Sequence, residues 1–223
     1  MSNIAVVLAA GNGTRMKTKE SKLLLKLAGK TVLERSVTAF LDISDIDEII
    51  VVAREKDIPT FSEILDDERV SFVIGGETRQ QSVMNAVDVI DDCELIVIHD
   101  GARPLIKACN IENTIRAAKE YKAAAVGTFV KDTIKIVDGD GFVASTPDRS
   151  TLFAVQTPQA FDFELYKSAV EKAKNDGSDF TDDCQLIENM GQQVKTVIGS
   201  YSNIKVTTPE DIFIAENLLN SEV

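Results

Sequence analysis

The sequence predicts an α/β fold with a mainly parallel sheet, helices on its faces and a projecting β-hairpin arm. Three observations lead there. Short β-branched runs alternate with longer segments of helical period, the first such run empties into a glycine-rich basic loop, and one segment breaks the alternation with an Asp-Gly-Asp-Gly turn. The clearest strands are Ile4 to Leu8, Ile49 to Val52, Phe72 to Ile74, Leu95 to Ile98 and Ala124 to Phe129. A capping-box pattern at Thr31-Val32-Leu33-Glu34 starts one helix, and Thr208 followed by Pro209 starts another. Gly191 is expected to end a helix running from Thr181. The exception is Thr133 to Val137, then Asp138-Gly139-Asp140-Gly141, then Phe142 to Ser145, which predicts a hairpin within an arm at about 132–150. An isolated two-stranded ribbon is barely stable in water, so the arm must pack on its own domain or on a second subunit.

At 223 residues, with 44% hydrophobic and 27% charged, the chain suits one globular domain spanning 1–223. Its net charge of -12 opposes a polyanion, and no Lys/Arg-rich run offsets it, so nucleic acid is not an expected partner. A small phosphate ligand is still allowed, because a few cations in one cleft outweigh the average field locally. Cys93, Cys109 and Cys184 are odd in number and lack a C-x-x-C pair, which points to buried free thiols. The run Ile4 to Ala10 has no basic stretch before it and leads into a loop rather than a cleavage site, so it is read as a strand. No apolar run approaches the roughly 18 residues of a membrane helix, and a cytoplasmic protein with no membrane partner is expected.

The first strand runs into Ala9-Ala10-Gly11-Asn12-Gly13-Thr14-Arg15-Met16, followed by Lys17, Lys19 and Lys22. In open α/β sheets, ligands sit beyond the carboxyl ends of the strands. Glycines there let backbone N–H groups approach phosphate oxygens, and Arg15 and Lys22 add charge. The dinucleotide fingerprint fails, since Met16 stands where its third glycine belongs, and there is no G-K-[ST] of a P-loop. As plain sequence, Gly75-Gly76 before a polar segment reads as a loop entering a helix. His99, the one histidine, is read as a hydrogen-bonded structural residue at a strand end.

Leu8 to Met16 with Lys22 resembles the nucleotide loop of the sugar-nucleotide pyrophosphorylase superfamily. Further blocks narrow the resemblance: Gly75 to Val83, His99 to Pro104, Lys131 to Lys135, Gln156 to Phe161, Phe180 to Asp183 and Asn203 to Thr207. In order along nearly the whole chain, they are similar to the 2-C-methyl-D-erythritol 4-phosphate cytidylyltransferase family of the non-mevalonate isoprenoid pathway. Ribitol-5-phosphate cytidylyltransferases share most of the blocks, whereas Ala102-Arg103-Pro104 and Thr181-Asp182-Asp183 lean toward the erythritol enzymes. One departure is Ser21-Lys22-Leu23-Leu24, where the family often has Pro-Lys-Gln and an aromatic residue.

The resemblance implies a Rossmann-like domain. It implies CTP and a polyol phosphate as substrates, Mg2+ or another divalent cation as cofactor, and a homodimer whose hairpin arm completes the partner's site. By motif match, Arg15, Lys22 and Lys205 would surround the α-phosphate as catalytic residues. CTP would be held by Ala9, Ala10, Gly11, Gly13, Gly76, Glu77 and Ser82. The acceptor would meet Asp100, Arg103, Thr133, Arg149, Thr157 and Thr181, with Asp100 also holding the metal, and Arg79 would brace the nucleotide loop without touching substrate. Without the resemblance, the residues support only a nucleotide-binding α/β protein. That leaves a nonenzymatic nucleotide-binding regulator and a nicotinamide-dependent oxidoreductase as rivals from other classes.

Overall fold

A computed structural model describes residues 2–11 and 21–221. The main sheet is built from β1 (Asn3–Leu8), β4 (Glu48–Ala53), β5 (Val70–Ile74), β6 (Leu95–Asp100), β7 (Ala123–Phe129), β10 (Phe153–Asp162) and β11 (Lys195–Ile198). Its order is β11-β7-β10-β6-β1-β4-β5, and every neighbouring pair is parallel except the two that involve β10. Two small ribbons lie outside the sheet: β2 (Lys26–Leu27) with β3 (Lys30–Thr31), and β8 (Ile136–Val137) with β9 (Val143–Ser145).

Both faces of the sheet are covered, as parallel strands require. Along β1, Ala5 and Val7 enter one core, with Val37 and Phe40 of α1 (Val32–Leu41) and Ile111 and Ile115 of α4 (Ala108–Tyr121). Ile4 and Val6 enter the other, with Val83 and Val87 of α3 (Arg79–Val87) and Tyr166 and Val170 of α5 (Phe163–Asp176). A short α2 (Ile58–Ile64) follows β4. The chain closes with α6 (Asp183–Glu188) and α7 (Pro209–Ser221).

The capping box at Thr31 and Glu34 is present in both directions, so two otherwise unpaired N–H groups of α1 are satisfied. A second box, between Thr78 and Gln81, starts α3. Pro209 opens α7 as expected. The hairpin turn also lies where it was expected: the Asp138 carboxylate accepts from the N–H groups of Asp140 and Phe142, and Gly141 takes φ +86.

Two expectations need correction. The helix near Thr181 starts at Asp183 and ends at Glu188, three residues before Gly191, since Asp182 is its N-cap and Thr181 is bonded to the Gln185 side chain. Cys109 is exposed, unlike the buried Cys93 and Cys184, because it lies in the solvent-facing first turn of α4. Residues 153–162 form a ten-residue strand, β10, in which Pro158 is accommodated at a register shift between Val155 and Gln159. Gly75 and Gly76 are required by the protein's own packing: a Cβ at Gly75 would lie 2.4 Å from the Ala10 Cβ, and one at Gly76 would lie 2.3 Å from the Gln81 Cβ.

Candidate active site

The carboxyl ends of β1 and β6 lie side by side, with Leu8 paired to Asp100. Asp100 is the hub of the site. Its carboxylate lies 2.9 Å from the Lys205 ammonium, 3.5 Å from the Arg103 guanidinium and 3.9 Å from that of Arg79. Burial alone would push the Asp100 carboxyl up, but Lys205, Arg79 and Arg103 together hold it down at about 2. It is therefore a carboxylate at any physiological pH. Three cations thus converge on one carboxylate, and Arg79 has a second counter-ion in Asp183.

Each cation is positioned by a specific tether. Arg79, in the first turn of α3, donates to the Asp183 carboxylate, whose other oxygen accepts from the Tyr166 hydroxyl at 2.7 Å. Burial opposes the charge on Arg79, yet Asp183 and Asp100 hold that guanidinium above its usual range. The Arg103 guanidinium donates to the Asn203 carbonyl at 2.8 Å, and the Asn203 amide donates to the Thr157 carbonyl at 3.0 Å. Val206 N–H bonds the Ala102 carbonyl, which seats Lys205 above β6, and the Lys22 ammonium donates to the Val206 carbonyl at 2.7 Å. Segments distant in sequence thus meet at one carboxylate.

Two clefts meet here. One, of about 200 Å³, is lined by Ala9, Ala10, Gly11, Lys22, Gly76, Glu77, Ser82 and others. The second, of about 410 Å³, is lined by Arg103, Phe153, Gln156, Thr157, Gln159, Thr181 and Asp182 among others. Arg79, Asp100 and Lys205 line both. That is the layout a transfer between two bound molecules needs, with the charged groups at the junction.

The model of the family described as IspD, 2-C-methyl-D-erythritol 4-phosphate cytidylyltransferase, matches residues 3–221. The chain belongs to this family. A relative from Caldanaerobacter subterraneus subsp. tengcongensis, named 2-C-methyl-D-erythritol 4-phosphate cytidylyltransferase, is 49% identical over 98% of this chain and 99% of its own. One of the same name from Clostridium perfringens is 42% identical over 97% and 98%. Among solved structures, a 4-diphosphocytidyl-2C-methyl-D-erythritol synthase from Anaerococcus prevotii superposes with TM-score 0.89 at 38% identity, covering 98% of this chain and 96% of its own.

Measured against the cytidylyltransferase motif, Ala9, Ala10, Gly11, Lys22, Gly76, Glu77, Ser82, Asp100 and Lys205 all line the first cleft. Arg103, Thr157 and Thr181 line the second. Thr133 and Arg149 line neither: Thr133 lies on the exposed arm, and Arg149 donates to the Lys131 carbonyl across the arm's base. Gly13 and Arg15 lie outside the described residues. The Ser82 hydroxyl accepts from Gly76 N–H at 3.1 Å and donates to the Thr78 carbonyl at 2.9 Å, which fixes the loop above α3. Arg79 does more than brace that loop, since its guanidinium faces Asp100 and both clefts.

Asp183 and Tyr166 received no role from sequence, although Asp183 sits in the Thr-Asp-Asp block. Nothing local reveals their pairing with Arg79, which spans 104 positions.

His99 has the structural role expected of it. The Arg103 carbonyl can only accept, so Nε2 at 3.2 Å carries the ring proton, and Nδ1 accepts from the Thr157 hydroxyl at 3.0 Å. That hydroxyl in turn accepts from Asp100 N–H. Complete burial pushes the imidazole down to about 4, against the pull of Asp100. Between this value and the unfolded value of roughly 6.5, the unfolded chain binds a proton that the folded chain refuses, so stability falls as pH falls through that window, by roughly 3 kcal/mol. Urea melts at pH 7 and pH 4.5 should show most of that loss, and a His99→Gln variant should show a smaller difference between the two pH values. An equal difference in the variant would remove His99 as the cause.

Proposed function

We propose that this chain transfers the cytidylyl group of CTP to the phosphate of 2-C-methyl-D-erythritol 4-phosphate, forming 4-diphosphocytidyl-2-C-methyl-D-erythritol and pyrophosphate. The observation that carries the reading is the junction of two clefts at Lys205, Arg79 and Asp100, in a chain whose relatives of 49% and 42% identity carry that enzyme's name. CTP takes the first cleft and the polyol phosphate the second. A phosphate oxygen of the acceptor attacks the α-phosphorus in line; a P–O bond forms there, the bond to the β-phosphate oxygen breaks, and pyrophosphate leaves with the electron pair. No covalent enzyme intermediate is required. Lys22 and Lys205, with Arg15, stabilise the charge on the α-phosphate, and Arg103 and Arg79 receive the acceptor's phosphate.

The residues present fit a divalent cation of the Mg2+ type. Such ions are commonly held by one or two carboxylates plus substrate phosphates and water rather than by an all-protein cage. Asp100 is a permanently ionised carboxylate at the junction, and among the described residues no cluster of three or more acidic, histidine or cysteine side chains could hold a metal ion alone. Bound there, Mg2+ would neutralise phosphate charge.

The whole chain acts as one nucleotidyltransferase domain in the cytoplasm, a compartment consistent with its free cysteines. No described helix is long and apolar enough to cross a membrane. The working unit is a homodimer joined through the arm. Ile136, Val137, Phe142 and Val143 are 52%, 58%, 71% and 59% exposed on a ribbon too small to hold itself, and a second copy would cover them. The same docking would carry Thr133 and Arg149 to the partner's acceptor cleft. Removing residues 135–146 should yield a monomer by light scattering and abolish turnover; an active monomer would refute this assembly.

Competition tests the nucleotide assignment. Offered CTP, UTP, ATP and GTP together with the acceptor, the enzyme should consume CTP at least a hundredfold faster than the others, and equal use of a purine nucleotide would overturn the reading.

A further inference from the structure

A third cavity, of about 350 Å³, lies outside the two clefts and shares no described residue with them. Its walls come from five places: the turn between β2 and β3, the outer face of α1, residues 104–107 after β6, Ser202, and the end of α7. It has two kinds of lining. Among the described residues, Lys30, Arg35 and Lys107 are its basic members and Asp42 its acidic one, whereas Pro104, Leu105, Ile106, Leu218 and Leu219 form an apolar wall. A concentration of cations in a cavity is unexpected on a chain with 36 acidic and 24 basic residues.

The cavity is built rather than accidental in two respects. The Arg35 guanidinium is held in one orientation, with Nε donating to the Leu27 carbonyl at 2.6 Å and Nη2 to the Ala28 carbonyl at 2.9 Å. Behind the apolar wall, Leu27, Leu105 and Ala215 are buried together with Ile204, Leu218 and Leu219 packed on them, so the hydrophobic side has a firm backing. Pockets that fix small molecules combine an apolar lining with a few placed polar groups, at about 300–1,000 Å³. Phosphate esters suit a positive surplus next to a pre-oriented guanidinium, with their carbon chain on the apolar wall.

We propose that this cavity is a binding site for a small organic phosphate, its phosphate held by Arg35, Lys30 and Lys107 and its apolar end against Leu105, Leu218 and Leu219. The site is separate from the catalytic clefts and does not depend on which acceptor they take. It lies against their supports: residues 104–107 follow Arg103 directly, and Ser202 precedes the segment that carries Lys205.

The probe is n-butyl phosphate, titrated into the intact protein and followed by amide chemical shifts, with inorganic phosphate and 1-butanol as separate controls. Saturable shifts centred on Ala28, Lys30, Ala39 and Leu219 are expected, with butyl phosphate binding at least tenfold more tightly than either control. A Lys30→Ala variant should weaken that binding at least tenfold with its melting temperature unchanged, and Leu219→Ala should narrow the gap between butyl phosphate and inorganic phosphate. Shifts centred on Gly76 and Lys205, equal affinity for inorganic phosphate, or no saturation would each overturn the proposal.

Discussion

Lys205→Ala lowers turnover by about a hundred- to a thousandfold, the usual cost of deleting one preorganised group that stabilises transition-state charge. The expectation rests on position. Lys205 reaches Asp100 at 2.9 Å and lines both clefts, so it faces the point where the transferred phosphorus passes from one molecule to the other. Its side chain is 39% exposed, so loss of its ion pair is discounted by solvent and costs at most about 1 kcal/mol of stability. The variant therefore folds and fails in kcat more than in KM. Lys205→Arg should recover part of the rate, because the charge returns in a different shape. Steady-state kinetics beside a thermal melt separates the two effects. A normal melt with normal kcat would remove Lys205 from the reaction, and a collapsed melt would make its role structural.

Asp100→Asn should cost stability and activity together. The Asp100 side chain is 11% exposed and faces the Lys205, Arg103 and Arg79 cations; removing the charge leaves Lys205 and Arg103 without the carboxylate they face, and Arg79 with Asp183 as its remaining partner. The carboxyl is held at about 2, below its ordinary value of 3.8, so folding gains roughly 2 kcal/mol at neutral pH from its ionised form. The folded pKa is the lower one, so that gain is present above pH 4 and is lost as pH falls toward 2. The variant should lack it at pH 7, and breaking a buried ion pair can raise the loss to about 3 kcal/mol. Pyrophosphate should restore stability to the variant more than to the wild type, since its charge replaces the missing carboxylate among the cations. Equal stabilisation of both would show that the cations are not waiting for an anion.

Much of this fold is legible from local signals. The β-branched runs mark β1, β4 and β6, the capping box starts α1, and the Asp-Gly turn shapes the arm, because each is decided by residues within a few positions of one another. Residues 153–162 are not marked locally as a strand, because Thr157-Pro158 carries a turn signal and a ten-residue strand between β6 and β7 depends on neighbours far away in sequence. The same distinction holds at the site. Motif order brought out Lys22, Asp100, Arg103 and Lys205, which line one or both of the two clefts. The tethers that aim them, Asp183 with Tyr166 on Arg79 and Asn203 on Arg103, are long-range hydrogen bonds with no local signature. Arg79 was underestimated for that reason: beside Gly75-Gly76 it reads as a loop residue, and only its distance to Asp100 shows which way it faces.

Acceptor choice tests the central claim most directly. Pyrophosphate release would be followed from CTP and Mg2+ with 2-C-methyl-D-erythritol 4-phosphate or ribitol 5-phosphate, each beside a Lys22→Ala control. Release with the methylerythritol phosphate, at least tenfold above that with ribitol 5-phosphate and lost in the control, is the predicted result. Release with ribitol 5-phosphate alone, or with neither acceptor, would contradict it.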